Sequence, residues 1–328
     1  MIVFFDTVRR KRPVREGGEV VKLDWETKRV LATRPVFPQN PDIIDDPNPR
    51  GNSRGGKGIL VTPHELLVAS YHTILVLDHD LNLLRSITHP LFVNIHEMAF
   101  EDDQVWVAAT TIDAAVRVDS RGCTTAQIWP REDRLFQRQL GLFPMEIDKT
   151  ADNRLMHLHS ELGTRPGHLH LNSVIHHGGR TYAFLNRLGA LIELQPQKRV
   201  VLHDDGLRGG HSPVILENGK RLLVCASFSR AILEFDLDSG RLVSTIDLTA
   251  FEPVRDWLAL YPNQPFNHSI FVRGLDLTGN GRLLVGISPA AILEIDRKTR
   301  KLVDAFQYSR DVGDAVHGLV HCVSSSHD

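Results

Sequence analysis

The sequence predicts an all-β protein, a six-bladed β-propeller, on three observations. One motif recurs: "TILVLD" at 73–78, "AAVRVD" at 114–119, "ALIELQ" at 190–195, "AILEFD" at 231–236 and "AILEID" at 291–296. Each is an apolar run rich in strand-forming residues, and most end on Asp before a turn. Around each copy lie an "LLV"-like run before, a further strand after, and an earlier opening strand, so the repeating unit has four strands. The chain ends are complementary. The N-terminus offers "IVFFDTV", "EVVKLD" and "RVLATR", three strands without a first; the C-terminus offers "HGLVHCV", a first strand without the rest. Joined like velcro, they complete a sixth unit and leave no open sheet edge.

In chain order, the five complete units occupy about 57–90, 93–130, 168–203, 210–248 and 267–309. Residues 1–328 thus read as one propeller domain with insertions at 38–56, 131–167 and 249–266. Each insertion falls between the last strand of one blade and the first of the next. In a propeller those connections share a face with the turns joining second to third strands. Long loops crowded on one face form a lid or binding wall. The stretch "PDIIDDPNPRGNSRGG" reads as loop, and "FEPVRDWLALY" as a short helix.

Composition narrows the function. Apolar residues make up 42% and charged residues 24%, ordinary for a globular protein. A net charge of −2 gives no basic field for nucleic acid or an anionic membrane. No apolar run approaches a membrane span. Three cysteines without CxxC spacing suggest a reducing compartment. The start, "MIVFFDTVRRKRP", reverses the order of a signal peptide. The expectation is a cytoplasmic protein whose partner is a small molecule.

The chemistry lies in the histidines, 17 in all. Read in register, "HEMAFEDDQVW", "HSPVILENGKRLL", "HSIFVRGLDLTGNGRLL" and "HGLVHCV" each open a first strand with His. At that position the six blades present Lys57, His96, Asn172, His211, His268 and His317. Equivalent positions in a ring face a common axis. His96, His211, His268 and His317 therefore read as ligands of a divalent transition metal, Fe²⁺ first, with Zn²⁺ or Mn²⁺ as alternatives. Ligating histidines need acceptors on their other nitrogen, for which Glu97, Glu161, Asp204 and Asp314 are candidates. Singly, such histidines more often line a wet channel.

Around them, "HLHLN" brings His168 and His170, either to replace a column histidine or to meet substrate. Tyr71, His72 and His170 are candidate acid–base groups. Lys57, Asn172, Arg187 and Arg230 are candidate contacts for a small anionic substrate, since guanidinium pairs hold carboxylate or phosphate. His176–His177 read as surface residues and His321 as a packed channel residue. "DLTGNGR" lacks the carboxylate spacing of a calcium loop and reads as a Gly turn.

The whole pattern resembles six-bladed propellers of the NHL-repeat, gluconolactonase-like and streptogramin-lyase-like kind. "NIHEMAFEDDQVWVAAT", "HLHLNSVI" and "LRGGHSPVILENGKRLLV" look like motifs of a bacterial propeller family of unassigned function. The resemblance implies the same fold and a role for the His and Asn positions. Gluconolactonase-like enzymes hold their ion with oxygen ligands, and this chain departs from that with imidazoles. The leading expectation is a metal-dependent enzyme performing oxygenation, isomerisation, elimination or hydrolysis. The alternatives are a non-catalytic binding propeller, and a lyase, Mg²⁺-dependent or metal-free, using one His as base.

Overall fold

The computed structural model describes residues 1–44, 46, 53–155, 168–216, 219–260 and 271–322. These residues form six four-stranded antiparallel sheets. Blade 1 runs through Ile59–Val61, Leu66–Ser70, Thr73–Leu77 and Leu83–Thr88; blade 2 through Ile95–Glu101, Gln104–Ala109, Ala114–Val118 and Thr124–Ile128. Blade 3 comprises Leu171–His177, Arg180–Leu185, Ala190–Gln195 and Arg199–His203. Blade 4 comprises Gly210–Leu216, Arg221–Ala226, Ala231–Asp236 and Arg241–Asp247. Blade 5 comprises Val272–Leu277, Arg282–Ile287, Ala291–Asp296 and Lys301–Gln307. Blade 6 combines Asp314–Cys322 with the N-terminal strands Ile2–Arg9, Glu19–Asp24 and Arg29–Pro35, in that order across the sheet.

Burial explains why the third strands are so legible. A middle strand is covered on both faces by neighbouring blades, so it reads as nearly continuous apolar sequence. Thr73–Leu77 is buried throughout, whereas the outermost Arg29–Pro35 is mostly exposed. One hydrophobic core fills each junction between adjacent blades. Leu67 and Val76 meet Val107 and Val116 between blades 1 and 2. Trp106 and Leu171 join blades 2 and 3, Phe184 and Val224 blades 3 and 4, and Cys225 and Val285 blades 4 and 5. Phe5 and Val316 join Leu284 and Ile292 of blade 5, and Phe4 meets Ile59 and Leu66 of blade 1. The closing blade is therefore held by apolar packing on both sides.

The insertions are anchored by the same cores. Asp133 caps the helix Arg134–Leu140 by accepting the Leu135 N–H, and Phe136 of that helix enters the core of blades 2 and 3. The expected second helix spans Glu252–Ala259 and seats Val254 against blades 4 and 5. "DLTGNGR" forms its turn, with Gly281 at φ +79° and the Thr278 hydroxyl oxygen accepting the Arg282 N–H. Among the described residues no helix is long and apolar enough to cross a membrane.

Two predictions follow from the closure. Phe5 is fully buried and meets Tyr308 edge-to-face at 5.2 Å. Phe5→Ala should lose about 3–5 kcal/mol in urea unfolding, while the exposed Leu83→Ala stays within about 0.5; equal effects would contradict the packing. Asp276 of blade 5 accepts both the backbone N–H and the Nδ1–H of His321 on the closing strand, each at 2.6 Å. That bond raises the His321 pKa above 6.5. Its stabilisation is complete below pH 6.5 and disappears as pH rises through the raised value. The gap in melting temperature between wild type and Asp276→Asn should therefore be widest at acidic pH and narrow towards pH 8. A gap widening with pH would refute it.

Candidate functional site: imidazoles on the propeller axis

Each innermost strand carries one extra residue, a β-bulge, near its start. His96 and Glu97 together oppose Ala108, and His317 and Gly318 together oppose Asp6. Asn172 is the extra residue between Leu171 and Ser173. The bulge of blade 4 lies between His211 and Val214. In blade 1 Lys57 donates its N–H to Ala69, whose own N–H returns to Gly58. In blade 5 the pairing passes from Val272–Ile287 to Gly274–Gly286, leaving Arg273 as the extra residue. Bulges re-aim side chains. The aligned positions are Lys57, His96, Asn172, His211, Arg273 and His317. Blade 5 thus differs from the expected column: Arg273 holds its place by strand pairing. His268 lies outside the described residues.

The imidazoles converge. Ring centres are 5.3 Å apart for His96 and His170, 5.5 Å for His96 and His317, and 5.7 Å for His211 and His317. His170 belongs to this group although it precedes the bulge by two residues. Its backbone is left-handed, at φ +53°. Gly55, Asn94 and Gly209, two residues before Lys57, His96 and His211, share that left-handed conformation. Gly and Asn tolerate it best. In blades 2 and 4 it presents a carbonyl to the ring that follows. His96 Nδ1–H donates to the Asn94 carbonyl at 2.8 Å, and His211 Nδ1–H to the Gly209 carbonyl at 2.9 Å. Thr110 and Ser227 stand against the same nitrogens at 2.9 and 3.1 Å. Both rings are thereby held in the tautomer that leaves the lone pair on Nε2.

His317 is different. It is fully buried, and among the described residues neither of its ring nitrogens has a hydrogen-bond partner. Burial drives His96, His170 and His317 well below 6.5 and His211 to about 3, with neighbouring cations adding to the effect. All four are neutral, the ligand form of imidazole. The acceptors expected from side-chain carboxylates prove to be the backbone carbonyls of Asn94 and Gly209. Glu97 instead accepts the Ser212 N–H and hydroxyl, Asp204 caps a turn at Gly206, and Asp314 faces Arg9. Glu161 lies outside the described residues. Among the described residues no three His, Cys, Asp or Glu side chains already stand as a set able to hold one ion.

Other expected residues divide into two groups. Lys57 is buried on the axis, with its ammonium on Asn94 Oδ1; burial lowers it to about 7. Asn172 donates to the Gly210 carbonyl at 2.9 Å, bridging blades 3 and 4, while its own oxygen is buried without a partner. Arg187 is exposed, near enough to His168 and His170 to depress both. Arg230, at φ +55°, shapes the turn of blade 4, where its carbonyl accepts the Leu248 N–H. Tyr71 and His72 pack on each other, and among the described residues neither has a ring contact with the axial imidazoles. Tyr71 is buried with Val14 and Ile44; His72 sits at 2.9 Å from the Thr73 hydroxyl, beside Arg154 and Asp152.

Asp113, in the second-to-third turn of blade 2 that the sequence places on the active face, supports the imidazole group from behind. Buried, it binds Arg131 at 2.9 Å, accepts the N–H groups of Leu169 and Leu171, and lies 3.3 Å from His168. It therefore holds the segment that delivers His170. Its backbone is left-handed at the end of that turn, at φ +52°.

The fold recurs in solved structures. A protein of unknown function from Bacteroides caccae aligns over 97% of this chain and 98% of its own, with TM-score 0.58 and 14% identity. A chain of a nidogen/laminin complex aligns over 97% of both, with TM-score 0.57 and 8% identity. Virginiamycin B lyase from Staphylococcus aureus aligns over 77% of this chain and 69% of its own, at 10% identity and TM-score 0.46. No protein-family model matches the chain, and no curated protein matches it.

Removing Asp113 takes a buried carboxylate from the Arg131 guanidinium and from the N–H groups of Leu169 and Leu171. Asp113→Ala should lose about 3–5 kcal/mol in denaturant unfolding. A loss under about 1 kcal/mol would show that the segment holds itself.

Proposed function

We propose that the axial imidazoles hold a divalent transition metal, iron first and zinc or manganese as alternatives, in an enzyme acting on a small anionic substrate. The observation that carries this reading is His317, a buried neutral ring with two unpartnered nitrogens, set against three other neutral imidazoles. A buried polar group without a partner costs about 1–3 kcal/mol, so the site is suited to an occupant with vacant coordination positions.

The spacing is also suitable. A metal–nitrogen distance of about 2.0–2.1 Å puts ring centres around a tetrahedral ion roughly 5 Å apart. The observed 5.3–5.7 Å calls for ring rotation and a shift of a few tenths of an ångström. His96 and His211 present Nε2, with Nδ1 held by a carbonyl, as metal-bound histidines do. His317 and His170 would complete the set, with His268 the further candidate. When bound, the metal would supply Lewis acidity or redox chemistry to the substrate.

The chain's own residues set the substrate's charge. Lys57 and Arg273 are close enough to depress His317, and Arg187 acts on His170 from the exposed side. This positive surround favours a carboxylate or phosphate group. Lys57 would orient that group from the axis and Arg187 from the loop face. Which of oxygenation, isomerisation, elimination or hydrolysis follows depends on the metal. We place the protein in the reducing cytoplasm on its three cysteines, none of them in a disulfide.

Elemental mass spectrometry on protein purified without a histidine tag tests the centre. About one equivalent of transition metal is expected after anaerobic loading. His96→Ala with His317→Ala should lower it at least ten-fold, of the order found when metal-site contacts are removed, with circular dichroism unchanged. Metal content unaffected by the double substitution would end the proposal and leave the binding-propeller reading in its place.

A further inference from the structure

One residue beyond the axial column, the innermost strands present Gly58, Glu97, Ser173, Ser212, Gly274 and Gly318. These residues are small except for Glu97, and they form a second layer under the imidazoles. Glycine is required where the chain crowds the axis: a Cβ on Gly318 would stand 2.5 Å from Asp6 Oδ2, and one on Gly58 2.7 Å from the His96 carbonyl. Past this layer the channel widens into a cavity of about 400 Å³, within the usual range of ligand pockets. Leu60, Phe100, Ile175, Val214, Leu275 and Val320 contribute its apolar wall.

We propose that this cavity is a second binding site, distinct from the imidazole group, for a small primary amine with an apolar body. The inner end of the cavity is acidic. Glu97 lines it; its Oε1 accepts the N–H and hydroxyl of Ser212, and Ser173 also bonds the carboxylate. Behind Gly318 lies Asp6, close enough to Glu97 for their charges to interact. Asp6 Oδ1 accepts the Gly318 N–H at 2.7 Å, while Oδ2 is buried without a partner. Asp276 adds a third carboxylate at the wall, held by His321.

The floor is thus rich in acceptors, with Asp6 Oδ2 without a partner among the described residues. An ammonium group brings three N–H donors and a positive charge to these acceptors. A bare calcium ion would need six to eight oxygens, whereas the cavity wall supplies mostly carbon. An apolar body fits that wall, and the ammonium meets Glu97. The imidazole end, with Lys57, Arg187 and Arg273, has the opposite electrostatic character, so the two ends of the channel select oppositely charged ligands.

The probe is 2-phenylethylamine, and its control is 2-phenylethanol, which keeps the body and loses the charge. Isothermal titration calorimetry on the full chain should give saturable amine binding, tighter than the alcohol by about ten-fold or more, as for a charge-assisted hydrogen bond. Val214→Trp, or Leu60→Trp if that variant does not fold, fills the cavity and should abolish binding with metal content unchanged. Glu97→Gln should reduce the amine to the level of the alcohol. Equal binding of amine and alcohol overturns the ligand class. Amine binding that survives both tryptophan substitutions overturns the location. Loss of metal in the histidine variants with amine binding intact leaves this inference standing, so the two proposals fail separately.

Discussion

The single extra residue in each innermost strand is the constraint from which the site follows. A regular antiparallel strand alternates its side chains between the two flanking blades, and few would face the axis. The bulge breaks that alternation once per blade. It turns His96 and His317 inward with Glu97 and Gly318 just below, and in blade 4 it follows directly after His211, at Ser212. The left-handed residues Asn94 and Gly209 set up the turn into the bulge, and their carbonyls hold the rings. Ring position, tautomer and the narrow floor thus share one backbone device. The six inter-blade cores keep the strands close enough for it to work.

Much of the fold was legible because burial on both faces writes an unmistakable sequence. Runs such as "AILEFD" and "AILEID" have to be strands sealed between neighbours. The unequal ends of the chain revealed the closure for an equally physical reason: three strands without a first leave an open edge. The site was less legible because a one-residue irregularity carries no hydrophobic signature. Aligning blades on their histidines put His268 in the blade 5 position, whereas strand pairing puts Arg273 there. The better guide was the doublet of a polar axial residue followed by a small one: Lys57–Gly58, Asn172–Ser173, His211–Ser212, Arg273–Gly274 and His317–Gly318. His96–Glu97 is the exception, and Glu97 is the side chain that fills the space left by the other five.

The carboxylates show why spacing alone misassigned the ring partners. Glu97 neighbours His96 in sequence, yet its side chain points into the layer below and ties blade 2 to Ser212 of blade 4. Asp113, distant in sequence from His170, supports the segment that carries it. In a propeller, residues adjacent in the chain are separated by layer, while residues from different blades meet. Contacts across the axis therefore have to be read from pairing.

Two layers of opposite character, stacked along one axis, need each other. Neutral imidazoles, Lys57 and Arg273 would make the upper layer strongly positive once a divalent ion joined them. Beneath lie Asp6, fully buried, and the half-buried Glu97 at the cavity wall; where solvent is excluded the low dielectric lengthens the reach of charge. An ion above would favour their ionised forms, and their ionised forms would favour the ion. The same carboxylates, ionised, strengthen the lower cavity's attraction for a cation. The two sites are then coupled through the floor, and by linkage any effect of one ligand on the other is reciprocal. The bulge also sets the separation of the layers, so if both sites are occupied the same backbone geometry would fix how strongly they influence each other.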